Sequence, residues 1–332
     1  MSSQTNILEV RNLEKFFRSY WLYRPLIAVK DISFEVPENQ AFGFLGHNGA
    51  GKTTTIKCIM GLVYKTAGEI IFKGEPLVSS SQRSKIGYLP EHPYFYDHLS
   101  VEETLSFLGS LYDISKTDLK KLVPDTLERV GLARKAKSPV RALSKGLQQR
   151  LGIAQSIIHQ PELLILDEPF SGLDPVGRKE IRELIIELKS EGTSIFMSSH
   201  ILSDVEDICE KISILSHGEV KTSFSISEIP EIYGQEFEIE IVDLDLNAEI
   251  NQAILTSAHK TSTRETSSGT IHNLRFKESA QANHALKSLL ENSANILSFK
   301  NRMAALEDIF MKVTGEKYQP EERNKLDNSI ES

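Results

Sequence analysis

The sequence predicts an α/β protein with a parallel central sheet, followed by a smaller α+β domain. The largely apolar residues 163–166 and 193–198 are typical of strands that are buried on both faces of a sheet. A helical pattern at residues 177–190 separates them, and strands that alternate with helices favour a parallel sheet. After about residue 225 the pattern changes, because residues 237–241 alternate strictly between apolar and acidic side chains, as in a half-exposed strand.

The first region begins with strands, which are predicted from runs rich in apolar and β-branched residues. Two of these runs cover residues 7–13 and 28–36, and a third, shorter strand at residues 68–74 ends in a turn. An aromatic insert at residues 16–25 separates the first two strands. This part of the chain is therefore expected to form mainly β-structure.

Residues from about 100 to 160 are mostly helical in pattern. Ser100 and Glu103 have the spacing of a capping box, in which the hydroxyl and the carboxylate each accept a hydrogen bond from an N–H group at the start of a helix. A further helix is predicted at residues 147–158, directly before the apolar run at residues 163–166.

The second region combines short strands and helices in a small α+β domain. Its predicted elements are strands at residues 237–241, 271–276 and 295–300 and helices at residues 248–257, 279–291 and 306–313. Residues 316–332 are polar and charged with almost no apolar content, which predicts a disordered tail. We therefore expect one domain at residues 5–225, a second at residues 226–315 and a tail beyond it.

The bulk composition is that of a globular protein long enough for two domains. Its 332 residues are 40% hydrophobic and 25% charged, with a net charge of −8. Proteins that hold a nucleic-acid backbone usually carry a basic patch, and this acidic chain has no long block of lysine and arginine. The composition therefore argues against nucleic acid as a partner.

The cysteines and the apolar runs indicate the compartment. Cys58 and Cys209 are far apart and lack C-x-x-C spacing, so they predict neither a metal site nor a disulfide framework. A reducing compartment such as the cytosol fits this usage. No run approaches the ~20 apolar residues that a spanning helix needs, and the polar N-terminus carries no signal peptide. We therefore expect a cytoplasmic protein, whose membrane role would require a partner.

A phosphate-binding loop is predicted at residues 46–53, which follow the pattern G-x-x-x-x-G-K-T between an apolar run and a helical run. In a strand-loop-helix geometry the backbone N–H groups and the helix dipole favour an anion, and the glycines let the chain wrap around it. Lys52 can reach the β- and γ-phosphates, and the Thr53 hydroxyl can bind Mg²⁺. The residues expected to hold ATP or GTP are Gly46, His47, Asn48, Gly49, Ala50, Gly51, Lys52, Thr53 and Thr54.

Two carboxylates, Asp167 and Glu168, close the apolar run at residues 163–166. In parallel sheets that carry a phosphate-binding loop, we expect the strand at residues 163–166 to lie beside the strand that precedes the loop. Asp167 could then hold Mg²⁺ through water. Glu168 would stand near the γ-phosphate, where it can polarise an attacking water.

The segment Leu143-Ser-Lys-Gly-Leu147 lies between the loop and these two carboxylates. In that position it resembles the signature L-S-G-G-Q of the ATP-binding cassette family. The resemblance implies a P-loop NTPase cassette with a parallel sheet core, an antiparallel β subdomain and a helical subdomain. It also implies that this segment covers ATP held by another subunit, with Ser144 and the amide of Gly146 near its γ-phosphate.

Three more elements of that family can be placed on the chain. Asp174 closes Ser171-Gly-Leu-Asp, which matches the D-loop that crosses to the partner subunit, and His200 matches the histidine that contacts the γ-phosphate. Phe17 aligns with the aromatic residue that stacks on adenine. The aromatic insert leaves Tyr20 and Tyr23 open as alternatives for that role.

Three positions depart from the family pattern. Glu91 replaces a glutamine, and a carboxylate can bind Mg²⁺ but cannot donate as an amide does. Lys145 replaces a signature glycine, so its charge either faces the partner's ATP or points to solvent, and Leu147 removes a polar contact. None of these changes falls on the residues to which the resemblance assigns catalysis. Those residues are Glu168, His200 and Lys52.

The resemblance implies an ATPase subunit of an ABC exporter that uses ATP and Mg²⁺. Two copies would work head to tail and drive a separate transmembrane permease, peripherally on the cytoplasmic face of the inner membrane. In the family the segment at residues 91–110 receives the permease. Its exposed-looking aromatics Tyr94, Phe95 and Tyr96 suit that contact, and a local core is the alternative. Residues 226–315 resemble the C-terminal extension of bacterial exporter cassettes.

Two other functions stay open at this point. One is a soluble cassette ATPase in DNA repair, chromosome organisation or translation, which usually carries a coiled coil, a zinc insert or a second cassette. The sequence shows no heptad run, no C-x-x-C and no repeat. The other is a regulatory nucleotide-binding module without catalysis, which the presence of Glu168 and His200 disfavours.

Overall fold

The described residues of the chain, in a computed structural model, are 5–17, 26–233, 235–243, 249–266, 269–292, 294–303 and 306–315. The chain divides into two compact units, with the boundary between Ile226 and Ser227. The predicted tail at residues 316–332 lies outside the described residues, and so do Tyr20 and Tyr23. Within the described ranges, no helix has the length and apolar character needed to cross a bilayer.

The first unit is built from strands and helices, among them the predicted strands at residues 163–166 and 193–198 and the predicted helices at residues 147–158 and 177–190. Its strands are β1 (Asn6–Phe17), β2 (Leu26–Pro37), β3 (Ala41–Leu45), β4 (Ala67–Phe72), β5 (Glu75–Pro76), β6 (Ile86–Leu89), β7 (Leu163–Asp167), β8 (Ser194–Ser199), β9 (Lys211–Ser216) and β10 (Glu219–Ser225). Its helices are α1 (Lys52–Ile59), α2 (Ser80–Arg83), α3 (Val101–Gly109), α4 (Lys116–Arg129), α5 (Lys145–Ile157), α6 (Pro175–Ser190) and α7 (Leu202–Glu206).

The main sheet has six strands in the order β10-β9-β3-β8-β7-β6, and every neighbouring pair is parallel except β10 with β9. The prediction that β7 lies beside β3 is wrong, because β8 is inserted between them. Both β7 and β8 are fully buried, so their apolar patterns do not tell which one pairs with β3. The carboxyl ends of the three strands still meet at one edge, and this brings the loop after β3 to the carboxylates after β7.

An antiparallel sheet in the order β2-β1-β4-β5 packs against the main sheet through aromatic rings. Phe34 of β2 lies 5.0 Å from Phe44 of β3 and 5.5 Å from Phe196 of β8, measured between ring centroids. Phe42 joins the same cluster, and all four rings are buried. The alternating apolar residues of β2 thus supply the contact that holds the two sheets together.

The helical part of the first unit lies between β6 and β7 in the chain. Helix α3 begins with the predicted capping box: Glu103 N donates to Ser100 Oγ over 3.2 Å, and Ser100 N donates to a Glu103 carboxylate oxygen over 2.8 Å. Helix α5 approaches β6 closely at Gly87. An ideal Cβ there would lie 2.1 Å from the backbone oxygen of Ser156, so only glycine permits this packing.

The second unit is a small antiparallel sheet with helices. Its elements are α8 (Ile229–Tyr233), β11 (Gln235–Val242), α9 (Glu249–Ser257), β12 (Lys260–Thr266), β13 (Gly269–Phe276), α10 (Ser279–Glu291), β14 (Asn295–Met303) and α11 (Leu306–Thr314). The strand order β12-β13-β11-β14, with all pairs antiparallel, is that of a split β-α-β-β-α-β fold. Phe237, Ile239 and Ile241 of β11 are buried in a core that includes α10, as their alternation predicts.

Replacing Phe196 with alanine is expected to lower the free energy of unfolding by about 3–5 kcal/mol, because the change leaves a cavity among buried rings. Denaturant unfolding followed by circular dichroism measures this difference. Tyr94→Ala is the matched control, since Tyr94 is 90% exposed, and its effect should stay within about 0.5 kcal/mol. Equal losses in the two variants would show that the aromatic cluster does not stabilise the fold.

Candidate functional site

The phosphate loop, residues 46–53, joins β3 to α1 as the sequence predicts. Gly49 and Gly51 have φ angles of 87° and 108°, which favour glycine. Gly51 also leaves no room for a side chain, since an ideal Cβ there would lie 2.6 Å from a backbone oxygen of β2. The N–H of Gly218 donates to the oxygen of Ala50 over 2.9 Å and anchors the loop from the β9–β10 turn. Backbone contacts therefore fix the loop at the start of α1.

A cavity of about 440 Å³ opens over the phosphate loop. The sequence-predicted residues that line it are Phe17, His47, Asn48, Gly49, Gly51, Lys52, Thr53, Thr54, Glu91 and Glu168. Gly46 and Ala50 belong to the loop but are buried behind it. One copy of the chain thus brings together most of the residues that were expected to hold a nucleotide.

Lys52 and Glu168 form a buried ion pair at the cavity. Lys52 Nζ lies 3.0 Å from Glu168 Oε1, and the two side chains are 5% and 8% exposed. Lys52 also donates to the backbone oxygen of Gly46 over 2.6 Å. The other carboxylate oxygen of Glu168 lies 2.7 Å from His200 Nδ1. Among the residues to which catalysis was assigned, Lys52 and His200 therefore both contact Glu168.

The pKa of Glu168 results from opposing effects. Burial raises it, but the hydrogen bond with His200 and the charges of Lys52 and His200 lower it by more, so the pKa lies below the ordinary value for glutamate. The backbone of Glu168 has a φ angle of 50°, and its N–H donates to Ser198 Oγ over 3.0 Å. Glu168 is therefore ionised at neutral pH and held by contacts from three directions.

Asp167 and Thr53 meet beside this group. Thr53 Oγ1 and Ser198 Oγ both donate to Asp167 Oδ1, over 3.3 Å and 2.6 Å. Burial raises the pKa of Asp167; the two hydrogen bonds oppose that rise, and the charges of Glu168 and Glu91 add to it. In the described part of the chain, Asp167 Oδ2 is buried and accepts no hydrogen bond. A buried carboxylate with an open oxygen suits a cation.

The donor atoms near the loop fit Mg²⁺. Thr53, Asp167 and Glu91 offer oxygen atoms, which are the ligands that Mg²⁺ prefers. Glu91 lines the cavity, and its side chain is 42% exposed. Among the described residues, no three His, Cys, Asp or Glu side chains cluster as a metal site of their own.

Part of the cavity wall is apolar. Phe17, Leu26 and Ile27 line it and are 38%, 60% and 51% exposed. They come from the paired ends of β1 and β2, where Phe17 lies opposite Leu26 and Phe16 opposite Ile27. Exposed apolar surface of this kind suits the flat face of a base. The sequence predicts the role of Phe17 at this site. It does not predict that Leu26 and Ile27 line the cavity, because exposed apolar residues at a strand end form no motif.

The signature and D-loop residues lie elsewhere. Ser144 caps α5, with Leu147 N donating to its hydroxyl over 3.4 Å, and Asp174 caps α6, with Gly177 N donating to its carboxylate over 2.9 Å. Ser144 and Asp174 are exposed, and neither they nor Gly146 line the cavity. One copy of the chain does not bring these residues to its own phosphate loop.

Lys145 lies against the D-loop of its own chain. An ideal Cβ on Gly172 would lie 2.1 Å from Lys145 Nζ and 3.1 Å from its Cδ, so the lysine side chain occupies that space. Gly172 has a φ angle of 67°, which also favours glycine. The start of α5 and the D-loop are therefore in contact within one chain.

The aromatic segment after β6 differs from its prediction. Tyr94 and Tyr96 are 90% and 53% exposed, but Phe95 is only 6% exposed, so the expectation that all three are exposed is wrong. Successive side chains of an extended segment point to opposite sides, and Phe95 faces the interior. A groove of about 590 Å³ is lined by residues of the next two helices, α3 and α4. One of its lining residues is the exposed Phe107.

Two further residues hold the site and carried no sequence signal of their own. Ser198 contacts both Asp167 and Glu168, as described above. The buried side chain of Gln149 in α5 donates to the backbone oxygen of Pro169 over 3.0 Å and fixes the chain after Glu168. Ser198 is one of three buried serines in β8, with Ser194 and Ser199, so its polarity alone did not indicate its role.

Comparisons with known proteins agree with this geometry. The family model described as ABC transporter matches residues 29–171. An uncharacterized ABC transporter ATP-binding protein of Synechocystis is 42% identical over 229 residues, which are 68% of this chain and just under two thirds, 65%, of that protein. A bacitracin transport ATP-binding protein of Bacillus licheniformis is 34% identical over 306 residues, which are 89% of this chain and 94% of that protein.

A solved structure of an ATP-binding subunit of an ABC transporter has the same fold. It is 32% identical and aligns with a TM-score of 0.60 over 68% of this chain and 93% of that chain. The predicted cassette fold is thereby confirmed. Since the bacitracin relative matches along nearly its whole length, the chain belongs to the ATP-binding subunits of ABC transporters.

Proposed function

We propose that this chain hydrolyses ATP with Mg²⁺ and thereby drives export through a separate membrane permease. The observation that carries the proposal is the buried group of Lys52, Glu168 and His200 beside the phosphate-loop cavity. Burying an ionised carboxylate costs free energy, and such groups occur mainly where chemistry needs them. A nucleotide-binding module without catalysis has no use for this arrangement.

Glu168 is the proposed general base. Because it is ionised at neutral pH, it can accept a proton from a water that attacks the γ-phosphorus. In the free chain one of its oxygens is paired with Lys52. The phosphate oxygens of ATP would compete for the same ammonium and so release that oxygen for the water. His200 would keep the other oxygen in place through Nδ1.

Thr53 and Asp167 are the proposed Mg²⁺ site, with Glu91 at the cavity wall nearby. The unused oxygen of Asp167 supports this assignment. When bound, the metal supplies positive charge to the β- and γ-phosphates. Glu91 accepts hydrogen bonds but cannot donate them, so without that positive charge it would repel the γ-phosphate.

We assign the second half of the site to another copy of the chain. Ser144, Gly146 and Asp174 resemble the family residues that contact the partner's ATP, and in this chain they lie outside the cavity of their own copy. ATP held between two head-to-tail copies would favour the closed pair, and hydrolysis would remove that bridge. This is a population shift driven by the different affinities of the open and closed pairs for ATP.

The proposed transport partner would contact the surface around Tyr94, Tyr96 and Phe107 from the cytoplasmic face of the inner membrane. All three aromatic side chains are exposed, which suits a protein interface. Export is favoured by the likeness to a bacitracin transport protein. Every residue of the proposed chemistry precedes residue 226, which supports a catalytic domain at residues 5–225 and a separate role for residues 226–315.

Glu168→Gln is expected to abolish turnover while it preserves ATP binding, because an amide cannot take the proton from water. A loss of at least ~100-fold in the rate of phosphate release is expected for a missing general base. Dimers should accumulate in ATP and Mg²⁺, as size-exclusion chromatography can detect. Glu162→Gln is the matched control, since Glu162 pairs with Lys73 and Lys85 outside the cavity. Turnover that survives in Glu168→Gln would exclude this residue as the base.

His200→Gln is expected to shift the acid limb of the pH–rate profile to higher pH. Glu168 acts in its ionised form, so turnover falls as the pH drops through the pKa of Glu168. Burial raises the pKa of Glu168, whereas His200 lowers it. The removal of His200 should therefore raise the pKa of Glu168. The rate ratio between pH 5.5 and pH 7.5 measures the shift. His284→Gln serves as control because His284 is exposed on α10 and belongs to the second unit. An unmoved acid limb would contradict this account.

Ser144→Asp is expected to prevent ATP-dependent dimer formation without weakening ADP binding to the single chain. Aspartate keeps the cap of α5 but places a negative charge where the partner's γ-phosphate would lie. Analytical ultracentrifugation in the Glu168→Gln background measures the dimer. The matched control is Ser79→Asp, a cap substitution at the start of α2. A dimer of undiminished stability in Ser144→Asp would rule out a site shared between two copies.

A further inference from the structure

Lys15 lies over the ring of Phe17. Its Nζ is 4.8 Å from the ring centroid, within the distance at which a cation is attracted to the face of an aromatic ring. The two residues are two positions apart on β1. Within the described part of the chain, Lys15 forms no ion pair with a carboxylate.

The ammonium of Lys15 is held in place by a backbone anchor. It donates to the carbonyl oxygen of Tyr64 over 2.7 Å. The segment that contains Tyr64 is itself tied to β1 on both sides of Lys15, because Thr66 N donates to the oxygen of Glu14 over 2.8 Å and Phe16 N donates to Thr66 Oγ1 over 3.1 Å. The position of the cation is therefore set by the backbone and not by a flexible partner.

Phe17 lines the cavity over the phosphate loop, whereas Lys15 does not. With one face covered by Lys15, the ring can present its other face to a ligand in the cavity. Phe17 stands at the end of β1 and is 38% exposed.

We propose that Lys15 is a positioning residue for the base of the nucleotide. It acts through Phe17: the cation fixes the ring in the orientation that stacks on the base, and so reduces the entropy lost on binding. This inference rests on the proposed function, in which Phe17 stacks on adenine. Lys15 itself touches neither the phosphates nor the reacting atoms.

Binding of ADP and of pyrophosphate to the full chain, measured by isothermal titration calorimetry, tests the proposal. Lys15→Met keeps the length of the side chain but removes the charge, and it should weaken ADP binding about two- to fivefold, the range expected for an exposed cation–π contact. Pyrophosphate has no base, so its affinity should not change. Lys15→Arg should restore ADP binding.

Lys65→Met is the matched control. Lys65 is also a lysine that donates to a backbone oxygen, that of Gly68, and among the described residues it covers no aromatic ring. Its loss should leave both affinities unchanged. Phe17→Ala reports on the underlying assumption, since it should weaken ADP binding but not pyrophosphate binding.

Three results would overturn the proposal, and they can be told apart. Unchanged ADP affinity in Lys15→Met together with a loss in Phe17→Ala would show that the ring stacks without help from Lys15. Equal losses of ADP and pyrophosphate affinity in Lys15→Met would show a general effect on the fold. Unchanged ADP affinity in Phe17→Ala would show that Phe17 does not contact adenine. The assignment of the phosphate loop would not be affected.

Discussion

The structure depends on burying one lysine and two carboxylates at a single edge of the main sheet. Lys52 and Glu168 are almost fully buried, and neither charge could be buried alone without a cost of several kcal/mol. Their pairing requires β3 and β7 to end at the same edge. Strand β8 lies between β3 and β7. Its Ser198 donates to Asp167 and accepts from the N–H of Glu168, and so links β8 to the end of β7. Lys52, Asp167, Glu168 and Ser198 thus meet at this edge of the sheet.

Most elements of the fold could be predicted because burial leaves a periodic pattern in the sequence. Residues 279–291 are helical as predicted, and the alternation at residues 237–241 marks a real strand. Two features left no pattern. The pairing order of β7 and β8 is invisible because both strands are buried along their whole length. Strand β12 was missed because its residues, Lys260–Thr266, are polar and almost all exposed, so backbone pairing with β13 and not burial defines it.

The residues of the candidate site also differ in whether the sequence predicts them. Motif spacing along the chain located the phosphate loop, since contiguous backbone atoms do the binding. Ser198, Leu26 and Ile27 contribute only through their position in the fold, and no spacing rule finds them. The residues of the signature and the D-loop are a third case: their identity could be predicted, but their proposed contacts require a second chain. Sequence can assign a role there, and one copy of the structure shows only that Ser144 and Asp174 are exposed and outside the cavity.

The charges at the site suggest an order for nucleotide binding and for the release of Glu168 from Lys52. Lys52 is paired with Glu168, and the raised pKa of Asp167 reflects its burial and the charges of Glu168 and Glu91. The N–H groups of the loop and the dipole of α1 offset only part of the further repulsion from a triphosphate. In the proposed site Asp167 and Glu91 would therefore favour entry of the nucleotide as its metal complex, because a divalent cation makes ligands of carboxylates that would otherwise repel it. In the proposed mechanism Lys52 would then turn from Glu168 to the phosphates, and Glu168 would become available as the base only when the substrate is in place.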